Sequence, residues 1–98
     1  MDKEMIVVIF NSSIEEELLE SLKAAGMKYY TKVPGVHGAG ECSEPRLDSH
    51  VWPGTNTMLL IAVKEGSGGP MLGAVREMKE RHLKEGVHAF VIPVNETI

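Results

Sequence analysis

Two short runs of the chain are apolar at every position. Met5-Ile6-Val7-Val8-Ile9-Phe10 and Met58-Leu59-Leu60-Ile61-Ala62-Val63 are rich in branched side chains and too short for helices. Such runs predict strands buried on both faces. Between them, Ile14, Leu18, Leu19, Leu22 and Ala25 recur at helical spacing. Ser13 with Glu16 three residues on reads as a capping box, Glu15, Glu16 and Glu17 suit the positive end of a helix dipole, and Gly26 suits the stop. A helix over about residues 14–25 is expected. Residues 28–34 alternate Lys28, Tyr30 and Lys32 with Tyr29, Thr31 and Val33, the pattern of an edge strand with one wet face. After Gly66-Ser67-Gly68-Gly69, Pro70 opens a second amphipathic stripe of Met71, Leu72, Val75, Met78 and Leu83 that ends by Gly86. His88-Ala89-Phe90-Val91-Ile92-Pro93 then predicts a fourth strand.

The order strand-helix-strand-strand-helix-strand is that of a ferredoxin-like α+β domain, βαββαβ, spanning residues 1–98 as one unit. Its four-stranded antiparallel sheet would run 4-1-3-2, with the two fully apolar strands in the centre and two helices on one face. Met5, Val7 and Ile9 then point to one side of the first strand, and Ile6, Val8 and Phe10 to the other. One layer of helices hides only one of these sides. Leaving five or six large side chains in water forfeits on the order of 10 kcal/mol, too much for a marginally stable domain. Other copies of the chain are expected to cover the second face. The alternative is a long loop folded beneath the sheet.

Such a loop exists, over residues 35–56, where hairpins usually spend two to five residues. It holds Gly35, Gly38, Gly40 and Gly54, which permit close backbone approach, and His37, Glu41, Cys42, Glu44, Asp48 and His50, which supply ligands or proton carriers. His37, Cys42 and His50 suit zinc or copper by ligand type, although their spacing matches no compact metal motif; the bland reading is a solvated loop. Trp52 reads as packing where the loop rejoins the sheet. Gly38-Ala39-Gly40 follows a strand without opening a helix, so it is no dinucleotide fingerprint. Cys42 with a histidine lacks an orienting third group, which argues against catalysis. His82 reads as a favourable charge at a helix C-terminus, and His88 as facing either ligand or solvent.

Charge and cysteine usage narrow the classes further. Ten Lys and Arg against fourteen Asp and Glu give a net charge of −4, which removes the phosphate-neutralising term of nucleic-acid binding. The single cysteine excludes an internal disulfide and fits a reducing, cytoplasmic setting. No apolar run approaches the ~18–20 residues of a membrane span, and no signal-peptide pattern opens the chain.

Several segments together resemble the PII superfamily of trimeric nitrogen-regulatory signalling proteins, over nearly the whole length. They are Gly26-Met27 leading into the second strand, Val33-Pro34-Gly35 in place of Val-Lys-Gly before the long T-loop, and Phe90-Val91-Ile92-Pro93-Val94 in place of the closing F-V-x-P-V. Val36-His37-Gly38-Ala39-Gly40-Glu41 and Trp52-Pro53-Gly54-Thr55-Asn56 resemble the PII-like branch rather than true PII. The resemblance implies a non-enzymatic homotrimer that binds a small effector, a nucleotide among the candidates, in clefts between subunits. A mobile T-loop over residues 35–56 would relay binding to a target protein. Gly35, His37, Gly38, Gly40, Lys84, Gly86 and His88 are the implied ligand-binding positions. Departures are also plain. No tyrosine lies between Gly35 and Asn56 to accept uridylylation. The phosphate-binding B-loop is reduced to His82-Leu83-Lys84-Glu85-Gly86-Val87-His88, with His88 in place of its lysine. The effector-binding glutamine is replaced near Ala39, and the C-terminal arginines have no counterpart before Ile98. The same trimeric fold serves CutA-type metal-tolerance proteins, so a metal-homeostasis trimer using His37, Cys42 and His50 is the second reading.

Overall fold

A computed structural model of the chain describes residues 3–38 and 55–98. Strand β1 (Lys3–Asn11) leads through a 3-10 turn (Ser12–Ile14) into α1 (Glu15–Ala24). There follow β2 (Thr31–Val36), β3 (Asn56–Lys64), α2 (Gly69–Arg81) and β4 (Val87–Val94). The four strands form one sheet ordered β2-β3-β1-β4. Every neighbouring pair is antiparallel. The fold is ferredoxin-like, and the two continuously apolar runs occupy the centre as their composition predicted. No helix among the described residues is long and apolar enough to cross a membrane.

Alternation along the strands sorts the side chains into two layers. Ile6, Val8 and Phe10 of β1 and Leu59, Ile61 and Val63 of β3 point to the helices and are buried. They meet Leu18 and Leu22 of α1, Met71, Val75 and Met78 of α2, and Val87 at the start of β4 in one cluster. Each large side chain so buried contributes about 1.5–3 kcal/mol. The opposite layer carries Met5, Val7 and Ile9, paired across the ladders with Ala62, Leu60 and Met58 on one side and with Ile92, Phe90 and His88 on the other. Among the described residues no helix covers this layer, and at its β4 side Phe90 is 55% and Ile92 49% exposed.

Two local expectations are corrected. Ser13 and Glu16 form no capping box. The Ser13 amide instead donates to Asn11 Oδ1 at 2.9 Å, and Ser12–Ile14 make a 3-10 turn before α1 begins. The reason is tertiary: Ser12 Oγ lies 3.2 Å from Thr55 Oγ1 and 2.9 Å from Thr57 Oγ1, which holds the chain at the end of the sheet for one further turn. The second strand begins at Thr31 rather than Lys28 and runs through Pro34-Gly35. Its ladder starts at the Thr31–Leu60 pair.

Candidate functional site

Antiparallel pairing gathers the C-terminal ends of β1 and β2 and the N-terminal ends of β3 and β4 at one end of the sheet. Asn11 stands opposite Asn56, and Phe10 opposite Val87. Two backbone bonds tie the connections there: Ser12 N donates to Thr55 O at 3.0 Å, and Asn11 N to Gly86 O at 3.3 Å. The base of the long β2–β3 segment and the α2–β4 turn therefore flank one strand end.

On the β2 side, the register shifts between Val33 and Val36. Pro34 has no amide hydrogen to give the ladder, and Gly35 takes a φ of +70°, a conformation that costs an L side chain roughly 1–2 kcal/mol. His37 follows, exposed, and Gly38 lies next to Asn56. A polar network braces this base. Buried Thr57 donates to Glu15 Oε1 at 3.3 Å, and Lys32 of β2 forms an ion pair with Glu15 Oε2.

On the β4 side, His82 caps α2, with its amide donating to Met78 O at 2.9 Å. Gly86 closes the following turn at φ +82°, donating its amide to His82 O at 3.3 Å. The His82 ring is held at both nitrogens: Nδ1 lies 3.1 Å from Glu85 Oε1 and Nε2 3.1 Å from Glu17 Oε1. Arg81 Nη1 shares Glu17 through its other oxygen at 2.9 Å. The hydrogen bond to Glu85, with that to Glu17 behind it, lifts the His82 pKa above its usual 6.5 against the partial burial that opposes it. His82 is therefore more than a charge at a helix end; it bridges two elements.

His88, first of the open-layer residues of β4, lies with Nδ1 3.3 Å from Lys79 Nζ. An ammonium only donates, so in this pair His88 Nδ1 is the acceptor. Beside this pair a hollow of about 170 Å³ is lined by Leu72, Val75, Val87 and Ala89, with Arg76 and Lys79 also at its wall. An apolar floor with two cations at its wall matches a ligand that is flat or aliphatic at one end and anionic at the other. A second hollow, of about 380 Å³, is lined by Ser13, Ile14, Glu16, Glu17, Glu20 and His82. Its carboxylates repel anions. Lys79 and Arg76 were not among the residues singled out in the sequence. Their only signal there is their position on α2 one step past the buried Val75 and Met78.

The candidate residues thus fall into two groups. Gly35, His37 and Gly38 lie at the β2 edge, and Lys84, Gly86 and His88 at the β4 edge. With β3 and β1 between them, three strand spacings separate the edges by roughly 14 Å. Neither described hollow is lined by members of both groups. Gly40, Cys42 and His50 lie outside the described residues. Among the described residues no group of His, Cys, Asp and Glu is arranged to hold a metal ion.

Comparison with known proteins bears on this arrangement. No curated protein matches the chain in sequence. CPII from Thiomonas intermedia K12, a nitrogen regulatory PII-like protein solved with ADP, AMP and bicarbonate, is 26% identical at a TM-score of 0.67, the match covering 100% of this chain and 98% of that one. A PII-like signaling protein from Thermus thermophilus is 29% identical at a TM-score of 0.63, covering 93% and 88%. A DUF3240 family protein from Shewanella baltica shares the fold at a TM-score of 0.72 with 11% identity, covering 99% and 94%. The family model for nitrogen regulatory protein P-II matches residues 3–98. That match, over the strands and helices that build both edges of the sheet, makes the chain a member of the P-II family, on its PII-like side.

Proposed function

We propose that this chain is a non-catalytic regulatory subunit that assembles as a homotrimer through the open layer of its sheet. It would bind an adenine nucleotide with a small anion in the clefts between subunits. The observation that carries this reading is the apolar layer of Met5, Val7, Ile9, Met58, Leu60, Phe90 and Ile92, which neither helix covers. Burying it among three copies removes the cost of hydrating it.

Assembly also answers the separation of the candidate residues. Gly35, His37 and Gly38 of one protomer and Lys84, Gly86 and His88 of a partner would wall one cleft, with Gly40 of the long segment added to the first group. In that cleft Lys79 and Arg76 supply charge for phosphate and the apolar hollow receives the base. The glycines let backbone amides approach an anion without a Cβ in the way. The binding of ADP, AMP and bicarbonate by the Thiomonas relative supports this ligand class. Ligand contacts made by residues at the base of the β2–β3 segment would favour one arrangement of that segment, which a target protein then reads.

Calorimetry of the purified chain with ADP, AMP and bicarbonate tests the reading. Saturable nucleotide binding, one site per chain, that weakens in His88→Ala and in Gly86→Val supports it. Heat of dilution alone at millimolar nucleotide, with and without bicarbonate, overturns the ligand assignment.

A further inference from the structure

We propose that the His82 ring, doubly protonated, is a proton-operated clasp that fastens the α2–β4 turn to α1. The geometry suits the second proton. Nδ1 and Nε2 each lie 3.1 Å from a carboxylate oxygen, of Glu85 and Glu17 respectively. A neutral imidazole has one N–H, so one carboxylate would face a ring lone pair; only the imidazolium donates to both. The two acceptors belong to different elements, Glu17 to α1 and Glu85 to the turn, and are 65 and 3 residues from His82. Protonation therefore couples long-range and local structure through one ring.

The carboxylates around the ring favour the closed form, while the cations Arg81 and Lys84 oppose it. From α1, Glu16 and Glu20 line the same hollow as Glu17. From α2, Arg81 holds the second oxygen of Glu17 and orients it. From the turn come Glu85 itself and its sequence neighbour Lys84. The ring side chain is 19% exposed and its carboxylate partners Glu17 and Glu85 are 42% and 33% exposed, so the cluster is partly open to water. Gly86 lies directly downstream: its amide donates to His82 O and its carbonyl accepts from Asn11 N. Deprotonating the ring leaves one N–H for two carboxylates, so the link between α1 and the turn opens whichever is lost; this loosens the closure at Gly86 and with it the attachment of the turn to the end of β1. This device lies within one chain and does not depend on the proposed effector, although it acts on the turn that carries Lys84 and Gly86.

Nuclear magnetic resonance on the ¹⁵N-labelled chain tests it, following the His82 ring nitrogens and the exchange protection factor of the Gly86 amide from mildly acidic to mildly alkaline pH. The expected result is a doubly protonated ring that titrates above 6.5. Gly86 protection should fall in step with that titration by roughly twofold to fivefold, the span of a partly exposed ion pair. Glu17→Gln and Glu85→Gln should each lower the His82 titration point, and His82→Gln should leave Gly86 protection independent of pH. A single neutral tautomer below 6.5, or Gly86 protection constant across the His82 titration, overturns the proposal.

Discussion

Phe90 of β4 stands directly opposite Val7 of β1 on the sheet layer that neither helix reaches. The pair is apolar on both sides, yet Phe90 remains 55% exposed within one chain. If this surface is the contact between copies, Phe90→Asp places a charge in it and should reduce the assembly to single chains at micromolar concentration. If the surface is simply solvated, the same substitution should change stability by no more than about 0.5 kcal/mol and leave the mass unaltered. Analytical ultracentrifugation separates the two.

Lys79 sits where α2 meets the β4 edge, 3.3 Å from His88, beside the apolar hollow. A charge-assisted hydrogen bond to phosphate is worth about 1.5–3 kcal/mol. Lys79→Ala is therefore expected to weaken ADP binding by about tenfold or more while the melting temperature stays within a degree or two. Calorimetry and thermal denaturation of the same preparation check this; unchanged ADP affinity would remove Lys79 from the site.

Thr57 is the one buried polar side chain among the described residues, bonded to Ser12 and to Glu15. Thr57→Val keeps its shape but removes both bonds, leaving Ser12 with Thr55 and Glu15 with Lys32, at a cost of about 0.5–1.5 kcal/mol for each hydrogen bond lost. Urea unfolding should show a lower midpoint with an unchanged m value. The same network braces both ends of the long segment, so the amides of Thr55 and Val36 should lose exchange protection more than those of β4.

His82 gives stability a definite pH dependence. Its folded-state pKa is raised, chiefly by Glu85 and then by Glu17, while the unfolded ring titrates near 6.5. Its contribution is therefore fully present below 6.5 and is lost as pH rises through the higher folded value. Thermal unfolding of the native chain should show a decline across that window that His82→Gln abolishes; an identical decline in the variant would place its origin elsewhere.

The strand order, the central position of the two apolar runs and the two-faced character of β1 were legible because period and composition report local burial. Features set by distant partners were not. The start of α1 was legible to within a residue but its cap was not, because Ser13-Ile14-Glu15-Glu16 resembles a capping box in isolation, whereas Ser12 is claimed by Thr55 and Thr57, 43 and 45 residues away. The alternation of residues 28–34 placed the second strand three residues early, since the ladder begins only where Leu60 faces Thr31. His82 looked like a charge at a helix end because Glu17 is distant in sequence. The candidate site was legible as two short segments, around Gly35 and around Gly86, but not as residues on opposite edges of the sheet. Lys79 was invisible without the fold.

The most direct measurement is the solution mass of the native chain, by light scattering at micromolar concentration without added ligand. Three chains per particle are expected, with the Val7 and Phe90 layer at the centre. A particle of one or two chains, stable with that layer in water, would contradict the assembly and with it the cleft between subunits.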